Sequence, residues 1–223
     1  MSARPRNPAG TAPKAGGRRV KARQERYDAV FAAAIALFIE RGYDGTTMEA
    51  IADRAGVARA SVFNYFPRKQ AILAEWAVRR RRSVRELIGA RQIAERPVGT
   101  VLYAYMDAWA DVNERMREET VACGLAALRD TDLLTNSGLS DELEAYLSAA
   151  LSRGELRPGL DVRQGGLLLA AAYFAVIGQW IASDPAQYDL HRELRKLTEL
   201  FLEGMLAHAP GTVRASSRRS SPA

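Results

Sequence analysis

The sequence predicts an all-α protein, with an N-terminal three-helix head carrying a helix-turn-helix and a C-terminal helical body. Three observations predict it. Apolar residues recur at three- and four-residue spacing through most of residues 22–208, and no stretch alternates as a half-buried strand does. Gly42–Lys69 reads as two short helices joined by a glycine turn. Several of the later helical stretches are apolar on more than one side, which places them in a core or against a cavity.

Composition narrows the function classes. The 223 residues fit one compact body or two small domains, and 48% hydrophobic residues are enough for a real core. A single cysteine, Cys123, excludes an internal disulfide and fits a reducing cytoplasm. The basic N-terminus has no apolar run behind it, so no secretory signal is expected. The longest apolar run, Gly165–Gly178, is shorter than a bilayer span, and no membrane role is expected. The formal charge of +6 is unevenly placed. The first 23 residues carry +7 with no acid and the last fifteen carry +3, which leaves −4 for the rest. Basicity therefore sits in the tails, and any argument for nucleic acid rests on the helix-turn-helix pattern.

Residues 1–21 are rich in Pro, Gly, Ala and Arg and read as a disordered basic arm, either following phosphates or simply solvated. The first helix is expected over Ala22–Arg41, with Tyr27, Val30, Phe31, Ala34, Leu37 and Phe38 as its stripe and Gly42 as its stop. Thr46, three residues before Glu49, reads as the N-cap of a capping box. Met48, Ile51, Ala52 and Ala55 follow at helical spacing, and Gly56 breaks the helix where positive φ costs least. A second short helix runs over Ala58–Tyr65, with Val57, Val62 and Phe66 inward. Pro67 closes it and stands near the first turn of a fourth helix, whose Ile72, Leu73 and Trp76 face inward. The run Arg79–Arg82 reads as a solvated helix face in preference to a DNA patch.

Gly89 and Pro97 mark a junction over Ile88–Pro97. Val98–Asp130 is helical. One stripe holds Val101, Leu102, Tyr105, Trp109 and Val112, and a second holds Tyr103, Met106 and Ala110; a further stretch, Met116–Leu128, carries Cys123. Thr131–Ser140 reads as a loop, with Ser140 capping a helix to Ser152. Asp161 caps a long helix to Ser183, ended by Asp184-Pro185. The last helix spans Tyr188–His208. Residues 209–223 read as a disordered polar tail, so the expected domains are 22–86 and 87–208.

The head resembles the DNA-binding region of the tetracycline-repressor (TetR) family of bacterial regulators. The matching residues are Thr46-Thr47-Met48, Ile51-Ala52, Ala55-Gly56-Val57, Ser61, Phe63, Tyr65-Phe66 and Lys69, with Ala33-Ala34, Leu37-Phe38 and Gly42 upstream. Two positions depart from the family pattern. Ala58 stands where a small hydroxyl residue is usual, and Phe63 where Tyr is. The resemblance implies a homodimer joined through the last two helices, an inverted-repeat operator in double-stranded DNA, and a small-molecule effector that releases it. In this reading Arg59, Ala60, Ser61 and Asn64 lie at the exposed face of the second motif helix, where each touches base edges or phosphates. Thr47, Phe63, Tyr65 and Lys69 fall to the backbone, with packing favoured for Phe63.

Tyr103, Met106, Trp109, Cys123, Phe174 and Trp180 are candidate walls of an effector cavity or ordinary core; their chemistry suits an apolar or aromatic-containing ligand. No catalytic cluster, metal site or cofactor motif stands out, and His191 and His208 read as surface residues. A repressor is the default. The alternative is a ligand-binding dimer that acts through protein partners and binds DNA only non-specifically.

Overall fold

The computed structural model describes residues 15–91, 95–130, 138–183 and 187–205, which form nine helices and no strand among them. The head contains α1 (Ala15–Arg41), α2 (Met48–Ala55), α3 (Arg59–Tyr65) and the start of α4 (Lys69–Arg91). The body contains α5 (Val98–Arg115), α6 (Arg117–Arg129), α7 (Leu139–Ser152), α8 (Val162–Ala182) and α9 (Leu190–Met205). The expected loop over 131–137, the stop at Asp184-Pro185, His208 and both terminal tails lie outside the described residues.

Helix α1 begins at Ala15, seven residues before the expected start, so part of the supposed arm is helical. Composition misleads here because Arg, Lys and Ala are good helix formers even where nothing is buried. The apolar stripe of α1 meets Ile51 and Ala52 from α2, Val62 from α3, Phe66, and Ile72, Leu73 and Trp76 from α4. Cys123 and Ala127 from α6 complete this cluster, so the head core runs into the body. Gly42 (φ 76°) stops α1, and its N–H donates to the Phe38 carbonyl.

The cap of α2 differs from the expected one by a residue. Thr47 is the N-cap, and its hydroxyl accepts from the Ala50 N–H at 3.1 Å. The Thr46 hydroxyl instead donates to the carbonyls of Leu37 (3.2 Å) and Gly42 (2.9 Å), with 1% of the residue exposed. Either Thr satisfies the capping pattern locally. Burial decides, because the end of α1 needs a donor for its last carbonyls. Gly56 (φ 64°) ends α2, with Val57 N–H returning to the Ala52 carbonyl in a Schellman arrangement. Pro67 sits two residues ahead of α4 and outside its first turn.

Helix α4 runs unbroken through Gly89 to Arg91, so the expected boundary at residue 86 falls inside it. Gly89 does not adopt a positive φ, and an isolated glycine costs a helix only about 1 kcal/mol. The arginine run is no solvated face. Successive helical residues are about 100° apart, so four of them point four ways. Arg79 binds Asp28 of α1 (2.5 Å) and Glu75 (2.7 Å). Arg80 is buried. Arg81 approaches Glu142 of α7 (3.9 Å), and Arg82 pairs with Glu86 along the exposed side. Arg85 also binds Glu142, and that carboxylate accepts from the Tyr105 hydroxyl at 2.6 Å. One helix thus clamps the head on one side and the body on the other.

In the body, α8 packs against α7, α6 and α9, and α5 packs against α4, α7 and α9. Gly138 caps α7, with Ser140 inside the first turn rather than at the cap. Asp161 caps α8 as expected, its carboxylate accepting from the Gln164 N–H at 3.1 Å. At 21 residues and a mean hydropathy of 1.6 over its most apolar window, α8 is long and apolar enough to cross a membrane, longer than the run Gly165–Gly178 suggests. One face is covered by the neighbouring helices, while Leu167 and Leu168 stay 49% and 64% exposed.

Candidate nucleic-acid interface and effector cavity

The helix-turn-helix holds α3 by its inner side. Val62 is fully buried and Phe66 is 2% exposed, which fixes the opposite side outward. Arg59, Ala60, Phe63 and Asn64 are exposed, and Ser61 is half-buried. Phe63 is 42% exposed, so it does not pack as expected. On a 3.6-residue turn it lies one position from Val62 and therefore off the buried side. Ala58 makes no side-chain cap, and the first turn of α3 is held by backbone bonds alone. Arg59 is ion-paired with Glu49 of α2, so its guanidinium must exchange one anion for another to reach DNA. Thr47 is exposed at the start of α2. Tyr65 is half-buried, edge-on to Tyr27 at 5.9 Å. The Lys69 ammonium donates to the Tyr43 carbonyl (2.6 Å) and lies 4.5 Å from the Tyr43 ring centre.

Of the six residues expected at an effector cavity, the fold brings two together. A cavity of about 70 Å³ between α4, α5, α6 and α8 is lined by Trp109 and Phe174, together with Trp76, Arg80, Asn113 and Tyr173. Tyr103 is half-buried on another face of α5, and Met106 is fully buried core. Trp180 lies near the end of α8 with the Arg117 guanidinium 4.4 Å above its ring. Cys123 belongs to the head core, and burial, reinforced by Glu119, pushes its thiol up to about 12. Helical spacing selects a face of each helix but does not say which neighbour covers it.

The cavity also holds a polar network that periodicity does not reveal. Arg80, 3% exposed, donates through Nη2 to Asn113 Oδ1 and Thr120 Oγ1, both at 2.7 Å. Asn113 Nδ2 donates to the Trp109 carbonyl (2.8 Å) and to the Tyr173 hydroxyl (3.0 Å). Burial holds the Tyr173 hydroxyl well above its ordinary pKa, opposed by Asn113 and Arg80. Asn113 and Thr120 give no sequence signal for this role, since each sits singly among apolar and charged neighbours. His191 is likewise no simple surface residue. Asp107 (3.5 Å), Asp111 (3.3 Å) and Glu114 (3.6 Å) of α5 surround its ring.

Residues 30–76 match the sequence profile of the bacterial regulatory proteins of the tetR family. That span is the helix-turn-helix with its bracing helices. The head is therefore similar to the DNA-binding region of the tetR-family regulators. Similarity to this family's regulators extends well beyond the head. The fatty acid metabolism regulator protein of Bacillus subtilis is 23% identical over 198 residues, which cover 83% of this chain and 98% of that protein. The Thermus thermophilus FadR repressor, solved with lauroyl-CoA, is 28% identical with a TM-score of 0.68, over 83% of this chain and 98% of that one. SmeT, the repressor of a Stenotrophomonas maltophilia multidrug efflux pump, is 25% identical with a TM-score of 0.65, over 84% and 95%. This chain is a ligand-responsive, DNA-binding transcriptional regulator.

Proposed function

We propose that this regulator is a cytoplasmic repressor that binds an inverted-repeat operator as a homodimer and leaves it when a small molecule enters the body. The observation that carries the reading is the seating of α3, anchored by Val62 and Phe66 with Arg59, Ala60 and Asn64 outward. A helix held this way lies in a major groove with its N-terminal residues against base edges. Exposed Leu167, Leu168 and Leu200 on α8 and α9 supply an apolar face for the second copy. The two-fold axis of such a dimer makes the operator palindromic.

The effector occupies the cavity beside Trp109 and Phe174. Its apolar or aromatic body is supported by those walls and by the lauroyl-CoA held by the Thermus relative. It releases DNA by as much as it prefers the conformation that does not bind DNA. Arg59→Ala, measured on operator variants, relaxes preference at one base position by about 1–3 kcal/mol. A uniform loss across all sequences would place Arg59 on a phosphate instead.

A further inference from the structure

We propose that the effector is an amphipathic monoanion whose carboxylate is bound by Arg80, with its apolar body between the aromatic walls. This rests on the cavity being the effector site, as argued above. The starting observation is an imbalance of charge. Arg79, Arg81 and Arg85 on the same helix each meet a carboxylate. Arg80, the one that is 97% removed from solvent, is in no ion pair among the described residues. Its Nη2 partners, Asn113 and Thr120, are neutral, and its Nη1 has no acceptor although it is buried. A buried cation without an anion is costly.

The nearest charged groups do not supply the missing anion. Glu119 is close enough to be influenced by Arg80, but its carboxyl forms no ion pair with the guanidinium. The Tyr173 hydroxyl and the Cys123 thiol, also nearby, hold their protons well above neutral pH. The Trp76 ring, 4.9 Å from the guanidinium carbon, offers a π face and no charge.

The guanidinium is also presented, not merely stranded. The Thr120 hydroxyl is tied to the Met116 carbonyl (2.9 Å) and Asn113 is tied to Trp109 and Tyr173. These bonds hold the Nη2 edge, leaving the Nη1 edge to the ligand. The Arg80 charge, in no ion pair among the described residues, suits a monoanion, whereas a dianionic phosphate would carry a second negative charge into an apolar site. At about 70 Å³ the cavity seats a carboxylate and little more. Ligand bodies need several hundred Å³, so the walls part to admit the rest. This separates the ligand from an acyl-CoA, whose buried group is a neutral thioester and whose phosphates are too heavily charged to follow it inside.

The test titrates the full-length protein with octanoate against 1-octanol, phenylacetate against 2-phenylethanol, and lauroyl-CoA. Tryptophan emission is the readout, since Trp76 and Trp109 line the cavity. In the wild type each acid binds about tenfold or more tightly than its alcohol, as a charge-assisted hydrogen bond in a dry site requires. Arg80→Met abolishes that preference and leaves alcohol affinity within about threefold. Arg80→Lys, which keeps the charge and loses the fork, retains part of it.

Equal affinity for acid and alcohol in the wild type needs no variant and overturns the proposal while leaving the cavity as effector site. So does a preference that survives Arg80→Met, or lauroyl-CoA binding at least as tightly as octanoate and equally in wild type and Arg80→Met. If none of the probes changes tryptophan emission, the cavity is not the effector site and both readings fall.

Discussion

Replacing Gly166 with alanine puts the packing of α7 on α8 to a numerical test. A Cβ at Gly166 would lie 2.7 Å from the Ser140 carbonyl oxygen and 2.9 Å from the Glu144 nitrogen, both backbone atoms of α7. Neither can swing aside as a side chain would, so the helices must separate by roughly half an ångström to reach ordinary contact. Overpacking of this kind costs about 1–3 kcal/mol. The same substitution gains about 1 kcal/mol of helix propensity, which obscures the loss when Gly166→Ala is measured alone. Gly178 on the same helix supplies the reference. A Cβ there meets only Leu128 Cδ1, at an ordinary 3.5 Å. Gly178→Ala therefore gains the propensity term without the clash. The difference between the two variants isolates the clash at about 1–3 kcal/mol, or about 2–12 °C in Tm for a chain of this size. Thermal melts by circular dichroism, with urea midpoints alongside, measure it. A Gly166→Ala protein as stable as Gly178→Ala would refute the close approach of α7 and α8.

Thr46→Val removes the donor to the Leu37 and Gly42 carbonyls and lowers stability by about 1–3 kcal/mol in urea unfolding. Thr47→Ala removes only the cap of α2 and costs about 0.5–2 kcal/mol, so the Thr46 variant is expected to be the weaker protein. Equal losses would return the cap to either threonine. Because the folded Cys123 thiol is raised from 9.0 to about 12, the folded state keeps a proton the unfolded chain releases. Stability is therefore complete below pH 9 and falls as pH rises from 9 towards 12. Cys123→Ala flattens that slope by up to about 1.4 kcal/mol per pH unit in urea midpoints at pH 8 and 10.5. An unchanged slope would show that the thiol is not buried.

Particular residues show why the sequence revealed the head more fully than the site. The stripe of α1, the turn at Gly56 and the anchors Val62 and Phe66 are set by local periodicity and backbone preference, so spacing alone predicts them. Thr46 and Thr47 exchange roles because a long-range demand, the carbonyls closing α1, outweighs a local pattern both satisfy. The run Arg79–Arg82 misleads for a related reason. Four like side chains look like one surface in a line of letters, yet a helix sends them to α1, the cavity, α7 and solvent. Cys123 and Trp180 have the softness and size expected of cavity walls, but which helix covers each is a tertiary fact. Asn113 and Thr120 are unremarkable in sequence and become a site only because Arg80 arrives between them from another helix.

The most direct test of the central claim is selection of bound DNA from a random pool at physiological salt, using the full-length protein. The account predicts enrichment of one inverted repeat, with half-sites spaced by about one helical turn or a multiple of it. Its half-sites then lead to the controlled genes. Salt-sensitive retention of DNA with no enriched sequence would contradict it, because α3 would then be touching phosphates without reading bases.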